Sequence, residues 1–455
     1  MNKERTNAQP PSPPLRIAVI GTGISGMSAA WLLSERHDVT VYEKAGWVGG
    51  HSHTVEAPGG VPVDTGFIVY NNATYPNLTA LFEHLEVPTH PTEMSFAVSA
   101  GSGRMEYGGN SLSTLFAQKR NLLRPRFWRM LRDLLRFYRQ APRDCAVLDQ
   151  SLLSLGDYLD QNNFSPAFQE DHLLPMAAAI WSCPSGTARD YPAVAFTRFC
   201  ENHGLLNLGE RPQWRTVSGG SREYVSRLTA RYAARISLNR GAQRVQREAG
   251  RVLVQDSDGA TRVFDHVVLA CHADEALALL AAPSAREQAL LGAFRYTSNL
   301  AVLHDDARLM PKRRAVWSSW NYLARNGTEH SPPCVTYWMN RLQNLPIERD
   351  IFLTLNPAQS LSRESIIARN VYEHPIFDAA AIAAQRELWS LQGEQRSWFC
   401  GAYFGAGFHE DGLQAGLAVA EALGGTRRPW QVKNESGRIC LGPSPAPARQ
   451  WADAV

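Results

Sequence analysis

Residues 16–54, RIAVIGTGISGMSAAWLLSERHDVTVYEKAGWVGGHSHT, constrain the fold of this chain most, because a strand, a glycine-rich turn, a helix, a second strand and a closing Gly-Gly follow one another without interruption. Ile17 to Ile20 form a short apolar run of strand type, and Gly21-Thr22-Gly23-Ile24-Ser25-Gly26 follows at once. In that setting the glycines have separate jobs. Gly21 allows a sharp turn, Gly23 lets backbone approach a pyrophosphate with no Cβ in the way, and Gly26 lets the helix pack closely on the sheet. The helix then aims its free N–H groups at the anion. Val39 to Tyr42 make the second strand, and Glu43, 17 residues after Gly26, is placed to accept hydrogen bonds from an adenosine ribose and disfavours a 2′-phosphate. The unit reads as a nucleotide-binding βαβ.

The continuation Glu43-Lys44-Ala45-Gly46-Trp47-Val48-Gly49-Gly50 resembles the extended signature of the flavin amine oxidase, protoporphyrinogen oxidase and phytoene desaturase superfamily. Nicotinamide domains usually lack it. The resemblance runs from Leu15 to Leu423 and includes Val63-Asp64-Thr65-Gly66-Phe67-Ile68-Val69, a second segment around Val245, and Gly405 to Leu417 leading into a last helix. It implies FAD as cofactor and an α/β fold of amine oxidase type: a Rossmann-like FAD-binding domain carrying an inserted, mixed sheet-and-helix (α+β) substrate domain. The expected division is 15–80, 205–280 and 395–425 for the FAD domain and 81–204 and 281–394 for the substrate domain, with loose tails at 1–14 and 426–455. The same resemblance assigns Gly21, Gly23, Ser25, Gly26, Glu43, Lys44, Gly49, Gly50 and His51 to cofactor binding. Backbone near Thr65 and Gly66 is expected under the isoalloxazine and Val245 at the adenine. Glu410, Asp411, Gly412 and Leu413 are expected where the last helix points its N–H groups at the flavin pyrimidine, stabilising negative charge on the reduced ring.

Composition agrees with two domains, since 455 residues exceed a single core and 44% apolar residues can bury both. A formal charge of +3, with only five lysines, gives no support to nucleic-acid binding. Seven scattered cysteines without Cys-x-x-Cys spacing suggest neither a disulfide framework nor zinc, so a reducing cytoplasm is expected and no metal. Residues 1–14 are polar and end in prolines, and no run reaches the ~18 apolar residues of a membrane span. Residues 80–204 carry helical periodicity and no nucleotide signal. The aromatic residues Trp181, Trp317, Trp320 and Tyr337 read as a core cluster rather than a cavity wall.

Two departures from the amine oxidases bear on chemistry. Gly49-Gly50-His51 stands where those enzymes often have Gly-Gly-Arg, and Gly401-Ala402 where they have Gly-Asp or Gly-Glu. The lysine that they commonly hold by water against flavin N5 has no evident counterpart, since Lys312 lies in the turn-like Pro311-Lys312-Arg313-Arg314. A flavin can take a hydride from carbon when a neighbouring group removes the second proton. His409, beside Glu410 and Asp411, is the first candidate for that base and His53 the second, against the alternative that either only caps a helix or holds a loop.

Phrases such as Thr74-Tyr75-Pro76-Asn77-Leu78 and Gly407-Phe408-His409-Glu410-Asp411-Gly412 are similar to those of bacterial FAD-binding proteins encoded beside, or fused to, enzymes resembling cyclopropane-fatty-acid synthases. That implies a lipid acyl chain as substrate, desaturated or oxidised. The alternatives are an oxidase of a hydrophobic amine and a flavin-binding partner of a lipid methyltransferase. Finally, residues 119–143 hold nine basic residues against Asp133, with Phe127, Trp128, Leu131, Leu134, Leu135 and Tyr138 at helical spacing. Two readings stay open: a helix lying on the anionic inner face of a membrane with Phe127 and Trp128 inserted, or an ordinary domain helix.

Overall fold

A computed structural model describes residues 13–442 apart from 152, 203–204, 207–211 and 325–332. The strand Arg16–Ile20 sits at the centre of a five-stranded parallel sheet, between Asp38–Tyr42 and His266–Leu269, with Ile236–Ser237 and Ser397–Phe399 at the edges. Its residues are covered on both faces, which is why Ile17 to Ile20 and Val267 to Leu269 are continuous apolar runs rather than alternating ones. The first helix, Ile24–Leu33, is buried along all ten residues because the last helix, His409–Leu423, lies directly on it. Contact that close needs glycine: a Cβ on Gly416 would fall 2.2 Å from the Ser25 carbonyl oxygen. Since Gly412 also abuts Ser25, the two helices start side by side at one edge of the sheet.

A seven-stranded sheet draws on chain from both sides of the second nucleotide segment, in the order 366–376, 295–304, 352–355, 334–338, 320–324, 96–100, 105–108. All its pairings are antiparallel except that of Trp320–Ala324 with Phe96–Ala100. The helices between 112 and 202 pack on this part.

Four expectations need correcting. Residues 80–204 are not wholly helical, because Thr89–Thr92, Phe96–Ala100 and Met105–Gly108 are strands, the last two joined across Gly101 and Gly103 with φ of 58° and 86°. The aromatic residues do not cluster together. Trp181 packs near Tyr191, Phe196 and Phe199, Trp317 joins Met310 and Phe352, and Trp320 meets Tyr337 edge-on at 4.8 Å. In the arginine-rich helix, Pro125–Ser151, Phe127 is fully buried with Met130, Phe137 and Ala141, so that side belongs to the core.

The fourth correction concerns the C-terminal segment, which is no loose tail as far as 442. Arg428, 2% exposed, donates to Glu421 and Asn77, Trp430 stacks on Trp31 at 5.9 Å, and Arg438 pairs with Asp411. Gly and Pro content suggested looseness there, but buried charge pairing holds the segment along the last helix. No helix among the described residues is long and apolar enough to cross a membrane.

Candidate functional site

The glycine-rich turn lies at the C-terminal edge of the parallel sheet, where dinucleotides bind in folds of this kind. Gly26 is a packing residue, since its Cβ would sit 2.0 Å from the Gly21 carbonyl oxygen. Gly23 is the opposite case: a Cβ there meets no protein atom within 4 Å. That free approach to backbone is what a pyrophosphate needs. Gly50, at φ 58°, backs onto the same point, since a Cβ on it would fall 3.1 Å from Gly23 Cα, and Gly49 N donates to Thr22 Oγ1 at 3.2 Å. Glu43, 7% exposed, accepts from Thr22 N at 2.9 Å and Thr22 Oγ1 at 2.5 Å through one oxygen and from Ala45 N at 2.8 Å through the other. Its carboxylate is thereby fixed beside the turn. With the starts of two helices converging on it, this edge of the sheet fits an FAD diphosphate and ribose, and FAD would supply an acceptor for a hydride.

The other sequence candidates divide. Lys44 is exposed and paired with Glu275, so it is a surface residue. Val245 lies in Ala242–Glu248 and its carbonyl accepts from Ala281 N; the segment that meets the Glu43 turn is instead Asn239 to Arg240, with Arg240 N donating to the Glu43 carbonyl at 2.8 Å. The side chains of Glu410 and Asp411 are engaged within the protein. Glu410 accepts from Asn77 N, Asn77 Nδ2, Leu78 N and Gln414 Nε2, which caps the helix Pro76–His84. Asp411 accepts from Phe408 N at 2.7 Å and Arg438 Nε at 2.6 Å. At this end, therefore, the Glu410 and Asp411 side chains are taken up within the protein.

His409 Nε2 lies 2.7 Å from Tyr224 Oη and 3.4 Å from Ser52 Oγ, and its ring stacks on Phe67 at 3.9 Å. Burial pushes its pKa down to about 3. A base works best with a pKa near the working pH, so this geometry speaks for a neutral imidazole that holds a loop and against proton abstraction. Around Thr65 the chain assembles an uncharged polar row. Thr65 Oγ1 is 2.7 Å from Tyr372 Oη and 3.2 Å from His53 Nδ1, and the His53 ring stacks on Trp47 at 4.4 Å. His51 lies 4.8 Å from the Tyr372 ring and 5.5 Å from His374. Burial lowers all three histidines, His374 to about 4, and neighbouring imidazoles push His51 further down. Gly66 is tight here, since its Cβ would strike the His51 carbonyl at 2.1 Å. Next to this row Asp64 is a latch: burial raises it to about 6 while Thr54, Ser221 and Gln343 all donate to it.

Sequence reasoning missed Tyr372, His374, Tyr224, Ser52 and Arg438. The first two could have been found, because Tyr-Glu-His in a strand puts residues 372 and 374 on one face. One trio, His272, Glu275 and Glu373, brings ligand atoms within 4.8 Å, but Lys44 already neutralises Glu275 and ion pairing accounts for the group. Among the described residues every lysine is exposed.

Comparison with known proteins follows the same lines. The sequence profile of the flavin-containing amine oxidoreductases matches residues 24–305. The AofH protein of Mycobacterium tuberculosis, a candidate flavin-containing monoamine oxidase, is 28% identical over 253 residues, covering 53% of this chain and 54% of that protein. The chain thus spans about half the length of the curated relatives that it matches. Among solved structures, a putrescine oxidase variant superposes with TM-score 0.65 at 16% identity over 90% of this chain and 99% of its own. A conjugated-linoleic-acid-producing fatty acid isomerase from P. acnes gives 0.62 at 15% over 90% and 98%, and cyclohexylamine oxidase from Brevibacterium oxydans 0.61 at 15% over 90% and 100%. At such identities these show a shared fold. With the profile matched over more than half of its length, the chain belongs to the flavin-containing amine oxidoreductase family, whose members are FAD-dependent oxidoreductases.

Proposed function

We propose that this FAD-dependent oxidoreductase removes a hydride from an uncharged, hydrophobic carbon chain, a fatty acyl group of a lipid, by desaturation or oxidation. The observation that carries the reading is the composition of the row at Thr65: two phenol and hydroxyl groups, three histidines held neutral by burial, and flanking Trp47 and Phe67, with every described lysine exposed. No member of that row is a carboxylate, and the adjoining Asp64 has its oxygens taken by Thr54, Ser221 and Gln343. A neutral substrate loses least on entering such a site.

In this reading the Gly21–Gly26 turn, Glu43 and the Gly49-Gly50 turn would hold the cofactor, and the first turn of the last helix would supply N–H groups that favour negative charge. Desaturation takes a hydride from one carbon and a proton from its neighbour. His53, only half-buried and bonded to Thr65, replaces His409 as the group that accepts the proton, and Tyr372 holds that imidazole in place. An amine oxidase is the second reading, favoured by the family match. The test is incubation with phospholipid and with hydrophobic amines in the presence of an artificial electron acceptor, followed by mass analysis. Lipid product lighter by two hydrogens is expected; an aldehyde from the amine with unchanged lipid overturns the acyl reading.

A further inference from the structure

Of the ten large apolar side chains exposed among the described residues, five fall between positions 112 and 135: Leu112 at 75%, Leu122 at 48%, Leu123 at 87%, Trp128 at 49% and Leu135 at 37%. They are linked rather than scattered. Phe116 N donates to the Leu112 carbonyl, the Phe116 and Trp128 rings lie 5.6 Å apart, and Trp128 Nε1 donates to the Leu122 carbonyl at 2.9 Å. Along the helix, Trp128, Arg132, Leu135 and Arg139 recur at i, i+4, i+7 and i+11 and form one outward stripe, while Phe127, Met130, Phe137 and Ala141 face the core. Lys119, Arg129 and Arg139 fall within the same stretch, are exposed, and make no ion pair among the described residues.

Exposed aliphatic side chains beside a tryptophan, together with three exposed cations that have no ion-pair partner among the described residues, are costly to leave in water and repel other basic surfaces. We propose that the 112–139 surface docks the protein reversibly on an anionic lipid bilayer, with Leu122, Leu123 and Trp128 entering the interface and the arginines resting on headgroups. Phe127 takes no part, being fully buried. The inference rests on the surface alone; if the substrate is a membrane acyl chain, the same surface places the enzyme beside it.

The test is sedimentation of the full-length holoprotein with phosphatidylcholine vesicles and with vesicles containing phosphatidylglycerol, at low and high salt. Wild type should pellet with the anionic vesicles, release at high salt and ignore the neutral ones. Each arginine near an anionic leaflet contributes roughly a five-fold factor, so Arg129→Gln, Arg132→Gln and Arg139→Gln together should weaken binding about 100-fold. Leu122→Ser with Leu123→Ser should weaken it about 10-fold or more while FAD content and melting temperature stay at wild-type values. Equal partitioning to both vesicle types, binding unmoved by salt, or binding that follows the arginines but ignores the leucines overturns the proposal; the last outcome describes plain attraction to a polyanion. Wild-type lipid and salt dependence decides the matter even if a variant folds poorly. No turnover enters this readout, so its failure leaves the acyl reading to be judged by product analysis alone.

Discussion

At one end of the candidate site the chain offers almost nothing but backbone: Gly21 to Gly26, the Gly49-Gly50 turn and a single fixed carboxylate, Glu43, all from one stretch of sequence. At the other end His51, His53, Thr65, Tyr372 and His374, with Ser52, Tyr224 and His409 nearby, come together from four distant stretches, and what they offer is side chains. The first end offers open space rather than side chains, so its tolerance to substitution is set by space. The second works through hydrogen-bonded and buried groups, so its tolerance is set by protons and by the elements that hold those groups.

The sharpest way to break that contrast is at two glycines three positions apart. Gly23→Val should leave a folded protein without FAD, because a Cβ there meets no protein atom within 4 Å while the side chain would fill the diphosphate approach. Gly26→Val should fail to fold, because its Cβ overlaps the Gly21 carbonyl. Flavin absorbance and thermal melting separate the two; a Gly23→Val protein that keeps its yellow colour contradicts the assignment.

The second end depends on the C-terminal strap. Arg438→Met leaves the buried Asp411 without its ion-pair partner, a loss of about 3–5 kcal/mol, and loosens the first turn of the last helix. A large fall in melting temperature is expected, with most of it recovered when Asp411→Asn is added. No recovery would show that Arg438 acts through Thr74 or Tyr75 instead.

Acid should undo this protein in a specific window. Burial holds His172, His266 and His304 at about 4 and His409 at about 3, against 6.5 for the free side chain. Between those values the unfolded chain binds more protons than the folded one, so stability falls as pH drops from about 6.5 towards 4. Asp64, raised to about 6, and Glu410 and Asp411, also raised by burial, work the other way, but they are outnumbered by the buried histidines, which include His374 at about 4 and His51 as well. Melting temperature measured from pH 7 to 4.5 should decline steadily; a flat profile would mean that these imidazoles are already charged or exposed.

How much of this was legible in the sequence follows the same division. The βαβ unit and the last helix were readable because local pattern and glycine spacing dictate them. The strands at 89–108 were lost to the stronger helical signal downstream, and the strap was lost because Gly and Pro masked two buried arginines whose partners lie more than 25 residues away or in another helix. The histidine end was half legible. His53 and Thr65 sit in a readable motif, but their partner Tyr372 is 307 residues from Thr65, and only the fold brings them together.

Smaller effects sharpen the assignment of roles. His53→Ala should slow flavin reduction by substrate about 10²-fold, the scale for losing a positioned base, whereas His409→Ala should cost stability more than rate. The reverse order would restore His409 as the base. Lys44→Ala, at an exposed pair, should change stability by less than ~0.5 kcal/mol and leave FAD bound; loss of flavin would put Lys44 back among its ligands.

The most direct test of the account is anaerobic titration of the purified, FAD-loaded protein, followed by the flavin absorbance near 450 nm. Fatty acyl lipid presented in anionic vesicles should bleach the flavin, and hydrophobic amines at the same concentrations should not. Bleaching by the amines alone, or by neither, would contradict it.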